Sequence, residues 1–320
     1  METNLITKTI KSFVKQKEFT VFVALFALCT FLAIKSEIFL TMENIMNVLR
    51  QFSTISILAV GEAFIIITGG IDLSVGSGLG FMGVVSAMLI VSGVHPLLVI
   101  LLVIIIGGLM GCINGTLVTR ARINPFIVTL GMLSVIRGVT LLLTGGMPIK
   151  VKGPLLWLGK GYVGPVPVPA IIMILVSIIG YVFSKRTITG RNIYAIGNSE
   201  KSAKYSGIRV KRITTLAYVI MGSLCGIAGL ITTATLGNAE PGAGSGRELD
   251  VIAAVVIGGV SLSGGEGSII GVILGAALMG ILKNGFVLLS IPGYWQTVAI
   301  GLVIISAVAL DSLRNSRNES

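Results

Sequence analysis

Long apolar runs separated by short polar or glycine-rich stretches organise the chain. A helix crossing the hydrocarbon core of a bilayer needs about 20 mostly apolar residues. On that basis the runs predict spans at Phe19–Ile34, Gln51–Thr68, Val75–Val91, Pro96–Val118, Pro125–Gly145, Val168–Phe183, Ile213–Thr235, Leu249–Leu262, Ser268–Leu289 and Tyr294–Leu310. The expectation is an all-α integral membrane protein of about ten transmembrane helices, some short or broken, forming one transmembrane domain over residues 1–320. Leu249–Leu262 is the shortest run, and a half-helix is its alternative reading. Lys35-Ser36-Glu37, rather than a small-residue cleavage site, follows the first run, so that run reads as an uncleaved signal anchor.

Composition strengthens this reading. Of 320 residues 54% are hydrophobic and only 12% charged, about half the charged share of a soluble domain; the mean hydropathy is +0.98. Ten spans would use roughly 200 residues, leaving too little chain for a separate catalytic domain of ordinary size. The formal net charge of +11 could suit nucleic acid, but its placement argues otherwise. Of the 24 Lys and Arg, sixteen fall in one alternate set of connecting segments and five in the other, while Arg50, Arg137 and Lys283 lie within or at the edge of runs. Positive charge concentrates on the cytoplasmic side of membrane proteins, so both termini are expected to be cytoplasmic, with an N-tail at 1–18, a basic loop at 185–212 and a C-tail at 311–320. Cys29, Cys112 and Cys225 each stand alone in an apolar run, and His95 is the only histidine, so no metal or disulfide framework is expected.

Glycine repeats at four-residue spacing in Gly107-Gly111-Gly115, Gly222-Gly226 and Gly271-Gly275. Such seams let helix backbones approach closely, within one subunit or across a dimer. Gly69-Gly70-Ile71-Asp72-Leu73-Ser74 is echoed by Gly258-Gly259-Val260-Ser261-Leu262-Ser263, as expected where helices are interrupted at corresponding places in an internal repeat. The nearest approach to a phosphate-binding loop, Gly153 to Gly161, has glycine where Ser or Thr should hold magnesium. Uphill transport would therefore draw on an ion gradient or another subunit. Intramembrane ionisable groups are few: Glu62, Arg137 and Lys283, with Asp72 at a helix break, and Lys283 is placed to snorkel to the interface. In the basic loop, Asn198 or Ser199 can cap a two-turn helix that Gly207 ends, with Glu200 four residues before Lys204. That loop reads either as a solvated positive-inside segment or as a docking element for a cytoplasmic partner.

Several long motifs in order carry a family resemblance. They are Thr-Gly-Gly-Ile-Asp-Leu-Ser-Val-Gly-Ser (68–77), Asn-Pro-Phe-Ile-Val-Thr-Leu-Gly (124–131), Ile-Arg-Gly-Val-Thr (136–140), Gly-Arg-Asn-Ile-Tyr-Ala-Ile-Gly-Asn (190–198), Tyr-Ser-Gly-Ile (205–208) and Glu-Leu-Asp-Val-Ile-Ala-Ala-Val-Val-Ile-Gly-Gly (248–259). From about residue 20 onward the chain resembles the permease subunits of ribose-type ATP-binding-cassette sugar importers, in the wider family that also serves branched-chain amino acids.

The resemblance implies a multi-pass bacterial inner-membrane permease, not itself an enzyme and without a cofactor in this chain. Its implied partners are a second permease copy or homologue, two cytoplasmic ATP-binding subunits and a periplasmic sugar-binding protein. It places the coupling helix at Ser199–Ser206, with Ser199, Glu200, Ala203, Lys204 and Gly207 as coupling residues. Asp72, Ser74, Asn124, Arg137 and Glu62 are the pathway candidates, and Ser77, Asn114 and Thr129 are further neutral groups suited to a sugar. For Asp72 and Ser74, helix capping is the competing role; for Arg137, Glu62 and Asp72 are the candidate partners. Glu62 departs from the apolar residue that the resemblance implies at its position. An ion-coupled secondary sugar carrier, or a permease for a different small polar solute, remains the alternative.

Overall fold

The computed structural model describes residues 17–319; the N-tail expected at 1–18 lies outside the described residues up to position 16. The apolar runs fold as helices: α1 (Lys17–Lys35), α2 (Met42–Ile67), α3 (Val75–Val91), α4 (Pro96–Thr119), α5 (Pro125–Thr144), α7 (Val168–Arg186), α10 (Val210–Leu236), α11 (Arg247–Ile257), α12 (Ile269–Leu288) and α13 (Gly293–Glu319). Between them lie α6 (Trp157–Lys160) and, in the basic loop, α8 (Ile188–Asn198) and α9 (Glu200–Tyr205). The only β-structure among the described residues is a pair of two-residue ladders, Ile149–Lys150 with Asn238–Ala239 and Tyr162–Val163 with Val166–Pro167. Seven helices among the described residues are long and apolar enough to cross a membrane, and α3 is a shorter apolar helix. The protein is an all-α, multi-pass membrane protein.

Three elements refine this pattern. The run Leu249–Leu262 ends as a helix at Ile257, because a left-handed Gly259 terminates it; at 1.5 Å per residue α11 is about 16 Å long, half a bilayer core. The basic loop holds a second helix, α8, ahead of α9. Its Thr187 N-cap accepts a hydrogen bond from the Gly190 amide at 2.9 Å, and Ile193 and Ile196 are buried. The helix α13 runs on through residues 311–319.

The glycine seams pack helices within this chain. A Cβ on Gly107 would overlap the Gly222 carbonyl, one on Gly111 the Tyr218 carbonyl, and one on Gly226 the Val103 carbonyl. Helices α4 and α10 therefore meet backbone to backbone, the closeness that small residues permit where lipid supplies no hydrophobic drive between helices. Gly271 and Gly275 play the same part against Gly258 and Ala254, joining α12 to α11. The core gathers around α2, where Ile57 to Ile67 is an almost unbroken buried stretch. Outward-facing apolar residues such as Leu109, Leu142 and Ile179 remain exposed, as a lipid-facing surface requires.

Candidate functional site

The two echoing hexamers fold alike. After α2, Gly69 sits at φ +81°, its amide donates to Ile66 O at 2.8 Å, and the Gly70 amide donates to Ile65 O at 3.0 Å. After α11, Gly259 sits at φ +88°, its amide donates to Val256 O at 2.9 Å, and the Val260 amide donates to Val255 O at 3.3 Å. Both are Schellman caps, which need a left-handed residue that glycine adopts without a Cβ penalty. Each ends a helix, the first at an exposed Gly69 and the second at a half-buried Gly259.

The first break folds into a closed polar knot. Asp72 Oδ1 accepts from the Ser74 amide at 2.8 Å and from Ser74 Oγ at 2.6 Å, and Asn114 Nδ2 donates to Ser74 Oγ at 2.9 Å. The Asp72 amide donates to Glu62 Oε1 at 2.9 Å. Thr129 Oγ1 donates to Ile71 O at 3.3 Å, and Tyr218 OH reaches the same oxygen at 3.5 Å. Glu62, Ser74, Asn114, Thr129 and Tyr218 are fully buried and Asp72 nearly so. Glu62 Oε2 and Asn114 Oδ1 have no hydrogen-bond partner among the described residues. Buried acceptors without donors are uncommon and costly, about 1–3 kcal/mol each.

Of the pathway candidates, Glu62, Asp72 and Ser74 thus come together, with Asn114, in this knot, and Ser77 hydrogen-bonds locally to Ser74 O. Asn124 lies apart as the N-cap of α5, where its Oδ1 accepts from the Phe126 amide at 2.9 Å. Arg137 does not meet Glu62 or Asp72. Its Nη1 donates to Pro241 O at 2.7 Å and Ala243 O at 2.9 Å, so a mid-helix cation is held by the carbonyls of the 237–246 connection. Lys283 does not simply snorkel: it pairs with Asp250, which is buried on the half-helix α11.

The coupling candidates form a defined unit. Ser199 Oγ caps α9 by accepting from the Ser202 amide at 3.2 Å, and Gly207, at φ +80°, ends it with Ile208 N–H donating to Ala203 O at 3.1 Å. Ala203 is buried, while Glu200 and Lys204 are exposed and make no ion pair with each other. Immediately before α9, α8 ends against both breaks. A Cβ on Gly197 would overlap Ile67 O and crowd Gly265 N, and one on Gly264 would come within 3.2 Å of Gly197 and 3.1 Å of Gly69 N. This three-way glycine junction was not singled out from the sequence, although the paired hexamers pointed to the two segments that it joins.

A cleft of about 800 Å³ opens beside this junction. Its walls come from Thr68–Gly70, the turn around Arg122–Pro125, α9 and the start of α10.

A family model described as the branched-chain amino acid transport system permease component matches residues 44–308. The chain is 45% identical over 298 residues to the ribose import permease protein RbsC of Bacillus subtilis, covering 92% of each chain. It is 39% identical over 295 residues to RbsC of Escherichia coli K12, covering 91% of this chain and 92% of that one. It is also 39% identical over 296 residues to the D-allose transport system permease protein AlsC of the same organism, covering 92% of this chain and 91% of the relative. No solved structure matches. The chain, with its broken helices and capped α9, belongs to the branched-chain amino acid transport system permease family.

Proposed function

We propose that the chain is the membrane-spanning permease of an ATP-driven importer for a monosaccharide of the ribose or allose kind, in a bacterial inner membrane. The observation that carries this reading is the 45% identity to a ribose import permease across 92% of both chains. ATP hydrolysis belongs to separate cytoplasmic subunits, and a sugar-binding protein delivers the cargo. Two permease chains, identical or homologous, enclose the path between them. The chain crosses the membrane ten times with both termini cytoplasmic, which agrees with the distribution of Lys and Arg.

In this mechanism α9 docks on the ATPase through Ser199, Glu200, Ala203, Lys204 and Gly207. Nucleotide binding moves the docked helices, and α8 passes the displacement through Gly197 to the two breaks. The Asp72–Ser74–Asn114 knot closes the wall in one state. Its unpartnered acceptors, Glu62 Oε2 and Asn114 Oδ1, are groups that a rearranged state can satisfy, with water or the sugar hydroxyls. Asn124 stands at the cytoplasmic mouth, and Arg137 fixes the 237–246 connection that lines the wall.

The test is uptake of labelled ribose and allose in proteoliposomes holding this chain, its ATPase subunits and sugar-loaded binding protein. Uptake that requires all three components and ATP supports the proposal. Uptake by this chain alone, driven by an ion gradient, would establish the secondary-carrier alternative.

A further inference from the structure

The 800 Å³ cleft beside the first break is lined by Arg122, Lys204, Arg209, Lys211 and Arg212, against the single acid Glu200. Arg122 comes from the α4–α5 turn, Lys204 from α9, Arg209 from the cap before α10 and Lys211 and Arg212 from its first turn, so two separate stretches of chain bring basic residues to one concave surface. Among the described residues none of the five makes an ion pair. Arg122 moreover holds a left-handed backbone at φ +57°, a conformation that residues other than Gly, Asn and Asp rarely adopt. A general positive-inside bias requires basic residues only near the cytoplasmic face, not their convergence on one cleft. A neutral monosaccharide, the cargo of the proposed function, needs none of this charge.

We propose that the cleft, at the mouth where Asn124 stands, is a binding site for a phosphate-bearing anion that is not the sugar cargo. Guanidinium groups match phosphate oxygens in fork geometry and ammonium groups add point charge, while the Thr214 hydroxyl and the Asn124 side-chain NH2 supply neutral donors on the same walls. The volume suits an organic phosphate better than the bare ion, and Val118, Ile123 and Ile208 give it an apolar side. Two sources share this chemistry: the headgroup of an anionic phospholipid, which basic pockets between membrane helices bind, and a soluble phosphate ester. An occupant bridging Arg212 to Arg122 ties the start of α10 to the α4–α5 turn across the cleft that reaches Gly69 and Gly70.

The site is tested by binding alone, without ATPase or sugar, so its failure is distinct from failure of the transport reading. The full chain in phosphatidylcholine nanodiscs is titrated with glycerol 3-phosphate, followed by 31P NMR and calorimetry, and again in discs doped with phosphatidylglycerol. Saturable binding that salt weakens is expected. Arg122→Ala and the pair Lys211→Ala with Arg212→Ala should each weaken it about tenfold or more, with thermal melting of the anion-free protein unchanged. Arg191→Ala, in the same basic loop but outside the cleft, should leave binding intact. Binding of the ester unaffected by phosphatidylglycerol supports a soluble ligand, and its displacement by phosphatidylglycerol supports a headgroup. Absence of saturable binding in both disc types, or an equal loss in Arg191→Ala, overturns the proposal.

Discussion

The Gly265 amide donates to the Ile67 carbonyl at 2.9 Å, joining the loop after the half-helix α11 to the last turn of α2. These two residues flank the two echoing breaks, and Gly197 of α8 packs on the same bond. The backbone of the segment leading into α9 therefore touches both interruptions at once. A push on α9 need travel only from Ser199 to Gly197, two residues, before it reaches the elements that carry Asp72 and Ser74. Only glycine permits that approach, because any side chain at 197 would collide with Ile67 O.

Gly197→Ala is expected to separate insertion from coupling. The added Cβ pushes α8 off the junction without touching the transmembrane seams. Sugar-stimulated ATPase activity in the reconstituted complex should fall roughly tenfold, in the upper range of mutational effects on coupling energy, while membrane insertion persists. Gly131→Ala, with nothing within 4 Å of the new Cβ, is the matched control. Wild-type stimulation in Gly197→Ala would remove the junction from the mechanism.

Ala203→Pro tests α9 itself. The residue is buried at the centre of a six-residue helix, and proline in a helix interior costs about 3 kcal/mol, enough to dissolve so short an element. The variant should insert normally and bind ATPase subunits poorly in a pull-down, with uptake abolished. Glu200→Gln, at an exposed position, should change stability by no more than about 0.5 kcal/mol. Normal uptake by Ala203→Pro would return this segment to a merely solvated loop.

Much of the fold was legible because a membrane span is a one-dimensional signal: a long apolar run is a helix whatever surrounds it. The Ser199 cap and the Gly207 stop were legible for the same reason, since caps depend on local residues. The helix α8 was not, because its first turns, Ile-Thr-Gly-Arg-Asn, hold Thr189, Gly190 and Asn192, poor helix formers whose preference tertiary burial of Ile193 and Ile196 overrides. The partners of Arg137 were hidden because they are backbone carbonyls, which carry no residue identity. Lys283 read as a snorkelling cation since its partner Asp250 stands 33 residues away on a different helix. The glycine seams announced close packing, but the choice of partner helix lies in the third dimension.

Removing the Arg137 guanidinium leaves the Pro241 and Ala243 carbonyls without their donor. Arg137→Ala and Arg137→Leu should each destabilise the protein by about 1–3 kcal/mol, read as lower thermal melting of the purified chain, and reduce uptake. Arg137→Lys, which keeps a cation but not the fork, should recover part of both. Unchanged melting and uptake in Ala and Leu variants would mean that the 237–246 connection holds itself.

Asp250 and Lys283 join α11 to α12 through one ion pair, with the carboxylate side chain 5% and the lysine 23% exposed. Breaking a buried pair by deleting one partner costs about 3–5 kcal/mol, because the other charge stays buried and uncompensated. Access of water to the lysine places this pair below that range. Lys283→Met strands the carboxylate, and should therefore destabilise the chain more than Asp250→Asn, which frees a lysine that can reach solvent. Combining both changes should cost less than the sum of the two, since the double variant contains neither stranded charge. The measurement is thermal melting of the four proteins in one detergent, analysed as a double-mutant cycle. Strict additivity would show that the two charges do not interact and that α11 is held to α12 by the Gly258–Gly271 and Ala254–Gly275 contacts alone.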